Sequence, residues 1–191
     1  MEITPEIQQK LKLLEQKYSA LGQDLSSYLD GLLHADVTTY WDYIELDTLL
    51  SLQKPKTQFP DEQVFIMYHQ ITELYFKLAL NEFEQLGAQV KIDKDFFLSR
   101  VGRINRYFEA LIQSFEIMVD GMEREQFLKF RMSLLPASGF QSVQYRKIEM
   151  FSTDFINLVA KDKRTKFNAS STITDMFESV YWKEGATEVD S

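Results

Sequence analysis

The sequence predicts an all-α protein, on three observations. Glycine and proline are scarce, with 7 and 4 among 191 residues. Apolar residues recur at steps of three and four, which is the spacing of one helix face, and not with the alternation of a strand. Phenylalanine and tyrosine are abundant, at 15 and 9 residues, so we expect an aromatic-rich interior. The length suits one domain, 1–191, with a sizeable core.

Composition narrows the class of protein. The net charge of −8 argues against a nucleic-acid binder or a binder of acidic membranes, because either would need a basic face. The absence of cysteine excludes disulfides, thiolate metal sites and thiol catalysis. The N-terminus lacks the basic-then-apolar layout of a signal peptide, and no apolar run approaches the length of about 18 residues that a membrane span needs. A cytoplasmic location is therefore expected.

The first 35 residues predict one long helix. Thr4 is a suitable N-cap, and Pro5 suits the first helical position. Apolar residues then follow at alternating steps of four and three, an unbroken heptad seam: Ile7, Leu11, Leu14, Tyr18, Leu21, Leu25, Tyr28 and Leu32. So narrow a seam suits packing along one partner helix. Two interpretations remain open, an oligomerisation arm and a long helix packed on its own domain.

Further helices follow from the same periodicity. Proline and acids open one of them at Pro60-Asp61-Glu62, where the helix dipole favours negative charge. The predicted spans are 46–52, 60–86, 95–115, 123–134, 143–158 and 176–182, with Thr174-Asp175 capping the last and a polar surface loop at 161–171.

Phe65 and His69 lie four residues apart, on one face of the helix predicted over 60–86. An aromatic ring beside an imidazole can form the wall of a pocket for a flat ligand that carries one polar N–H. The alternative is a core helix with a half-buried histidine. A di-metal carboxylate bundle would need Glu-x-x-His, but position 66 is Ile, and His69 with Glu73 fits an ordinary helix-surface or pocket-rim contact. Hydrolytic triads and phosphate-binding loops have no supporting motif.

Arg131 follows Phe130 at an otherwise apolar helix end. A lone arginine there suits a bidentate grip on a ligand carboxylate; the alternative is a solvent-facing or ion-paired side chain. The small residues Ser138 and Gly139 come soon after, where a ligand could approach the backbone closely. That segment equally fits a helix stop followed by a helix start.

Taken together, these segments resemble the tryptophan 2,3-dioxygenase family. The similarity covers roughly residues 38–150, in matching order and spacing. The segments that carry it are Tyr40–Leu50 (YWDYIELDTLL), Asp61–Leu74 (DEQVFIMYHQITEL), Phe130-Arg131 and Ser138–Glu149 (SGFQSVQYRKIE).

The resemblance implies an all-helical bundle, usually a homotetramer, that binds haem b. Such an enzyme inserts both atoms of O2 across the indole C2–C3 bond of L-tryptophan to give N-formylkynurenine, which opens the kynurenine pathway. His69 would accept a hydrogen bond from the indole N–H, Phe65 would pack on the indole ring, and Arg131 would pair with the carboxylate.

The resemblance assigns the remaining site residues as well. Ile66, Met67 and Tyr68 would line the substrate pocket. Phe127 stands one turn before Arg131, where members carry Tyr or Phe. Ser138 and Gly139 would lie beside the haem. Tyr40 and Tyr43 would reach into the pocket of a neighbouring subunit.

One departure from the family is serious. Members bind iron through a proximal histidine C-terminal to the Ser-Gly-Phe-Gln segment, and this chain has no histidine after His69. We therefore expect a chain that is incomplete at its C-terminus and that cannot form the normal haem site alone. Two alternatives stay open: a related haem oxygenase acting on another indole or aromatic amino acid, and a non-catalytic helical oligomerising module.

Overall fold

The computed structural model describes residues 3–35, 38–135 and 137–181, without the side chain at position 140. Its α-helices are α1 (Pro5–Ser19), α2 (Leu25–Leu33), α3 (Tyr40–Tyr43), α4 (Leu46–Leu50), α5 (Pro60–Gly87), α6 (Lys94–Ser114), α7 (Glu116–Val119), α8 (Arg124–Phe130), α9 (Val143–Ser152) and α10 (Ile173–Phe177). Short 3₁₀ helices cover Arg131–Leu134, Gly139–Gln141, Phe155–Leu158 and Arg164–Lys166. Across these ranges the chain forms no strand, only an isolated bridge between Val159 and Val180. The all-α prediction is confirmed.

The described chain divides into two compact units, Met1–Leu52 and Gln53–Ser191. The prediction of one domain over 1–191 stays a prediction. Among the residues that the structure describes, no helix is long and apolar enough to cross a membrane.

In the first unit, the predicted single long helix is wrong. α1 ends at Ser19, and α2 begins at Leu25. Gly22 adopts φ +69°, a left-handed conformation that glycine takes without steric cost. Asp24 then caps α2, accepting a hydrogen bond from the Ser27 amide at 2.9 Å. The heptad spacing of apolar residues continues through this turn in the sequence, although the helix itself does not.

α1 and α2 contact each other through a pair of tyrosine rings, among other residues. Tyr18 and Tyr28 stack with centroids 4.2 Å apart. Neither α1 nor α2 contains a buried residue, so the described part of the first unit has helices but no core. The seam brings its own tyrosines together, and most of its leucines stay exposed.

The second unit is built around α5. Against α5 pack α6, α8 and α9. The centre of the core is formed by Ala79, Leu80 and Ile148, with Phe76, Phe83, Tyr107 and Phe108 around them. The 28 residues of α5 therefore connect the hydrophobic core at one end with the Phe65–His69 segment at the other.

A buried carboxylate joins α5 to α6. Glu82 is 2% exposed and lies 2.9 Å from Arg100 Nη1 and 3.4 Å from Arg103 Nη1. The Tyr107 hydroxyl donates to it at 3.3 Å. Burial raises the pKa of Glu82, but the hydrogen bonds and charges of Arg100 and Arg103 outweigh burial, so the pKa lies below its usual value.

Three C-terminal helices differ from prediction. The helix expected over 123–134 becomes 3₁₀ at Arg131, and the one expected over 143–158 ends at Ser152. The last helix is capped by Thr172, two residues earlier than expected, through a reciprocal pair of hydrogen bonds with Asp175. It ends at Phe177, so the predicted span 176–182 is wrong; the predicted last residue, Trp182, itself lies outside the described residues.

Candidate functional site

An aromatic cluster surrounds Phe65 where α5 meets α8. The Phe65 ring lies 4.1 Å from the His69 ring, centroid to centroid, one turn along the same helix. From α8, Phe127 approaches Phe65 at 6.3 Å, and Phe130 does so edge-on at 5.8 Å. Phe130 is fully buried, while Phe65 and Phe127 are half-buried. Phe130 therefore anchors the cluster, and the other two rings remain partly accessible.

The local geometry of the helix sets the hydrogen-bonding state of His69. Its Nδ1 lies 2.8 Å from the Phe65 carbonyl oxygen. A carbonyl can only accept, so Nδ1 must carry the proton of this bond. In the neutral ring Nε2 is then an acceptor. No described residue bonds to Nε2, and the His69 side chain is exposed. The site thus presents a hydrogen-bond acceptor beside an aromatic face.

The three residues between Phe65 and His69 lie in different surroundings. Ile66 is half-buried, and Met67 is exposed. Tyr68 is buried, with its hydroxyl 3.4 Å from Ser114 Oγ and its ring edge-on to Phe115. Its ring also meets the edge of the His69 ring at 6.2 Å. Tyr68 thus packs toward the end of α6, and the predicted pocket role of these three residues stays a prediction.

Arg131 follows the cluster directly in sequence. It is the C-cap residue of α8 and begins the next 3₁₀ turn. The side chain is exposed, and within the described ranges it has no ion-pair partner. The Arg131 guanidinium is thus accessible to solvent, and it follows Phe127 by four residues, one helical turn, along the chain.

The Ser138–Gly139 segment forms a 3₁₀ turn that leads into α9. The Ser138 amide donates to the Gln141 side chain at 3.1 Å, and the Ser142 side chain caps α9 at Tyr145. This is the helix start that the sequence also allowed. Nothing within 4 Å would meet a Cβ placed on Gly139, so the space beside this backbone is open.

A side-chain amide connects α9 to the site helix. Gln144 Nε2 donates to the Glu73 carbonyl at 2.9 Å and to its carboxylate at 2.8 Å. The carboxylate of Glu73 is thus engaged by α9, and His69 bonds within its own helix. The rim contact expected between His69 and Glu73 is replaced by these two separate contacts.

Tyr40 and Tyr43 belong to the first unit, on α3. They are 72% and 81% exposed. Their predicted place in the pocket of a neighbouring subunit stays a prediction.

A buried carboxylate holds the loop that precedes α5. Glu62 accepts hydrogen bonds from the Lys56 and Thr57 amides, each at 2.7 Å, and from the Thr57 hydroxyl at 2.5 Å. Burial raises the pKa of Glu62, but these hydrogen bonds together lower it by more than burial raises it. The pKa of Glu62 therefore lies below its usual value. Lys56 Nζ in turn donates to the Ser133 carbonyl at 3.3 Å. The loop therefore links the start of α5 to the 3₁₀ turn of Arg131.

Comparison with known sequences shows which protein family this chain resembles. The sequence model of tryptophan 2,3-dioxygenase matches residues 31–187, more than half of the chain. The chain belongs to the tryptophan 2,3-dioxygenase family. The family prediction is thereby confirmed, and the match includes every residue of the aromatic cluster, Arg131 and Ser138.

Individual relatives carry the same name. A tryptophan 2,3-dioxygenase of Bacillus thuringiensis (strain Al Hakam) is 40% identical over 112 residues, which are 58% of this chain and 40% of that protein. One of Ruegeria sp. (strain TM1040) is 38% identical over 60% of this chain and 41% of its own length. For Shewanella woodyi the identity is 36%, over 63% and 43%. The chain thus matches less than half the length of these tryptophan 2,3-dioxygenases.

The resemblance implies haem, and the residues of this chain fit it only in part. The open space beside Gly139 is compatible with a flat group approaching the backbone. In the part of the chain that the structure describes, however, no group of three or more His, Asp or Glu residues could hold a metal ion. Haem iron is held by a single axial side chain, so this absence does not decide the fit. His69 is the sole histidine of the second unit, residues 53–191. If His69 lies on the substrate side, as the resemblance implies, residues 53–191 offer no second histidine for the iron.

The polar residues that join the elements around the aromatic cluster could not be identified from the sequence. Glu62, Gln144, Asp61 and Gln126 all bond across elements, over separations from 5 to 71 residues in sequence. Only Asp61 and Glu62 gave any signal, and it indicated a helix start. A polar side chain that serves a distant element has no local pattern.

Proposed function

We propose that this chain provides the substrate-facing wall of a haem-dependent dioxygenase that converts L-tryptophan and O2 to N-formylkynurenine in tryptophan catabolism. The observation that carries the proposal is the hydrogen-bonding state of His69. Its Nδ1 bond to the Phe65 carbonyl leaves Nε2 as an acceptor beside an aromatic face. An indole presents what this arrangement binds, a flat ring with one N–H donor.

The two ends of tryptophan would meet different elements. The indole would pack against Phe65 and Phe127 and donate its N–H to His69. The carboxylate would reach Arg131, whose side chain is exposed in the structure. Phe127 has no hydroxyl to share that contact, so Arg131 would be the main carboxylate partner on this wall.

Haem would supply the oxygen chemistry when bound. Ser138 and Gly139 are the residues proposed to lie beside it, and the axial histidine would have to come from outside this set of residues. The roles that follow for this chain are to bind the indole, to hold its N–H proton at His69 Nε2 and to orient the carboxylate. We also propose a homotetramer in which Tyr40 and Tyr43 complete a neighbouring pocket, with a cytoplasmic location.

Calorimetry with two ligands tests the role of His69. His69→Phe keeps a ring at this position and removes the acceptor. L-Tryptophan should then bind about fivefold more weakly, the net value of one neutral hydrogen bond of about 1 kcal/mol. The affinity for 1-methyltryptophan, which has no indole N–H, should not change. An equal loss for both ligands would contradict the acceptor role.

A matched experiment tests Arg131. Arg131→Ala should weaken L-tryptophan binding about fivefold, the upper end for an ion pair with an exposed arginine, about 1 kcal/mol. Tryptamine, which lacks the carboxylate, is the control ligand and should bind unchanged. A variant that binds L-tryptophan as the wild type does would remove Arg131 from the site.

A second candidate is a non-catalytic helical module that associates with itself. Two observations favour it: the described part of the first unit has no buried residue, and no histidine follows His69 in the sequence. Haem titration of the purified chain separates the candidates. A histidine-ligated haem spectrum with tryptophan-dependent oxygen uptake would support catalysis by this chain alone. A defined oligomer that binds neither haem nor L-tryptophan would support the module.

A further inference from the structure

Two helices of the site lack caps of their own. At the start of α5 the N-cap residue is Phe59, and at the start of α8 it is Glu123; neither side chain accepts a cap hydrogen bond from a backbone amide of its own helix. The first amides of a helix have no partner within the helix, so a side chain, water or a ligand must satisfy them. In this structure a side chain of each helix accepts a hydrogen bond from an amide at the start of the other helix.

The exchange is reciprocal. Asp61 Oδ2, in the first turn of α5, accepts from the Glu123 amide at 2.5 Å. Gln126 Oε1, in the first turn of α8, accepts from the Asp61 amide at 3.2 Å. The Gln126 amide group is oriented for this, because its Nε2 donates to Glu123 Oε2 at 2.9 Å. We call the bonds between Asp61, Glu123 and Gln126 the cross-cap.

The cross-cap lies one turn from the aromatic cluster on both helices. Phe65 follows Asp61 by four residues, and Phe130 follows Gln126 by four. Each helix is stiff over one turn, so the cross-cap sets how far α5 can slide or rotate against α8. Phe65 and His69 move with α5, while Phe127 and Arg131 move with α8. The distance from Phe65 and His69 to Arg131 would therefore change if these bonds were lost.

We infer that Asp61 and Gln126 are positioning residues, which fix the register of α5 against α8 and so hold the two binding ends of the site at the spacing of an aromatic amino acid. The substrate part of this inference rests on the proposed function. The register part rests on the geometry alone.

Spin-label distances test the register directly. The chain has no cysteine, so a label pair at the exposed positions Lys77 on α5 and Glu125 on α8 can be introduced without other changes. Asp61→Ala and Gln126→Ala should each broaden or shift the distance distribution. Asp61→Asn keeps an oxygen acceptor for the Glu123 amide and should restore the wild-type distribution.

Asp93→Ala is the matched control. Asp93 is also a carboxylate that caps a helix, but it accepts from Asp95 and Phe96 of its own helix α6. Its loss should lower the thermal midpoint without changing the α5–α8 distance. Should Asp61→Ala fail to fold, Gln126→Ala decides, because it leaves the Asp61–Glu123 bond intact. Unchanged distances in both alanine variants, or an equal change in Asp93→Ala, would overturn the inference.

Ligand affinities test the consequence for binding. A ligand that spans both helices should suffer from a loosened register, and one that contacts only the indole wall should not. Asp61→Ala and Gln126→Ala should weaken L-tryptophan about tenfold, since small misplacements of binding groups have large effects, and should leave tryptamine unchanged. Equal losses for the two ligands would overturn the positioning role. A wild-type chain that binds neither ligand would overturn the proposed function and the substrate part, and the label distances would still decide the register part.

Discussion

Glu82→Gln is the sharpest test of what holds the site helix in place. The substitution keeps the shape of the side chain and removes its charge. Arg100, 17% exposed, and Arg103, 45% exposed, would then lack the carboxylate between them. Breaking a buried ion pair from one side costs about 3–5 kcal/mol. Because Arg103 is close to water, we expect the lower end, about 3 kcal/mol, in the free energy of unfolding.

Thermal and denaturant unfolding followed by circular dichroism measures this cost. A loss of about 3 kcal/mol corresponds to a midpoint lower by about 6–12 °C for a chain of this size. Glu84→Gln is the control, since Glu84 is an exposed residue on the same helix, and its effect should stay within about 0.5 kcal/mol.

The pH dependence gives an independent check on the same bond. The pKa of Glu82 is lowered in the folded protein from the ordinary value of 4.5, so the folded state binds this proton less readily than the unfolded one. The stabilisation is therefore complete above pH 4.5 and is lost as the pH falls through the lowered pKa. Wild type and Glu82→Gln should converge in acid. Equal stability of Glu82→Gln and Glu84→Gln at pH 7, or a difference that persists in acid, would refute the reasoning.

Three further substitutions have definite expectations. Gly22→Ala should destabilise the α1–α2 turn by about 1 kcal/mol, measured as lost helicity on heating, because φ is positive there although no neighbour would clash. Glu62→Gln should cost about 2 kcal/mol, since its amide group would face donors in the 54–59 loop; faster amide exchange in that loop checks it. Phe127→Tyr should tighten L-tryptophan binding a few-fold in calorimetry by adding a hydroxyl near Arg131, with tryptamine unchanged; tighter binding of both ligands would contradict this.

The helices that could be predicted are those whose signals lie within the helix. α5 was expected over 60–86 and spans Pro60–Gly87, because its proline, its first-turn acids and its apolar spacing are all local. The first helix failed because the spacing of apolar residues continued through Gly22. A period reports which face is apolar, and it does not report whether the backbone turns between two stretches of that face.

The site divides in the same way. Phe65 and His69 could be paired from sequence, since four residues on a helix make neighbours. The approach of Phe127 and Phe130 to Phe65 could not be derived from spacing, because it depends on how α8 crosses α5. Glu82 gave no signal either, since the arginines that neutralise it lie on the next helix, 18 and 21 residues away.

The hydrogen-bonding state of His69 and its position relative to Arg131 therefore have different structural causes. Its hydrogen-bonding state is set within one turn of α5, because the Phe65 carbonyl fixes the proton on Nδ1 wherever the helix lies. Its position relative to Arg131 is set between helices, by side chains that cap a helix other than their own. The hydrogen-bonding state of His69 should therefore survive substitutions at other positions that preserve the helix. The position of His69 relative to Arg131 depends on a few exposed or half-buried bonds, so changes at the start of α5 or α8 should alter which ligands fit while the helix content stays the same.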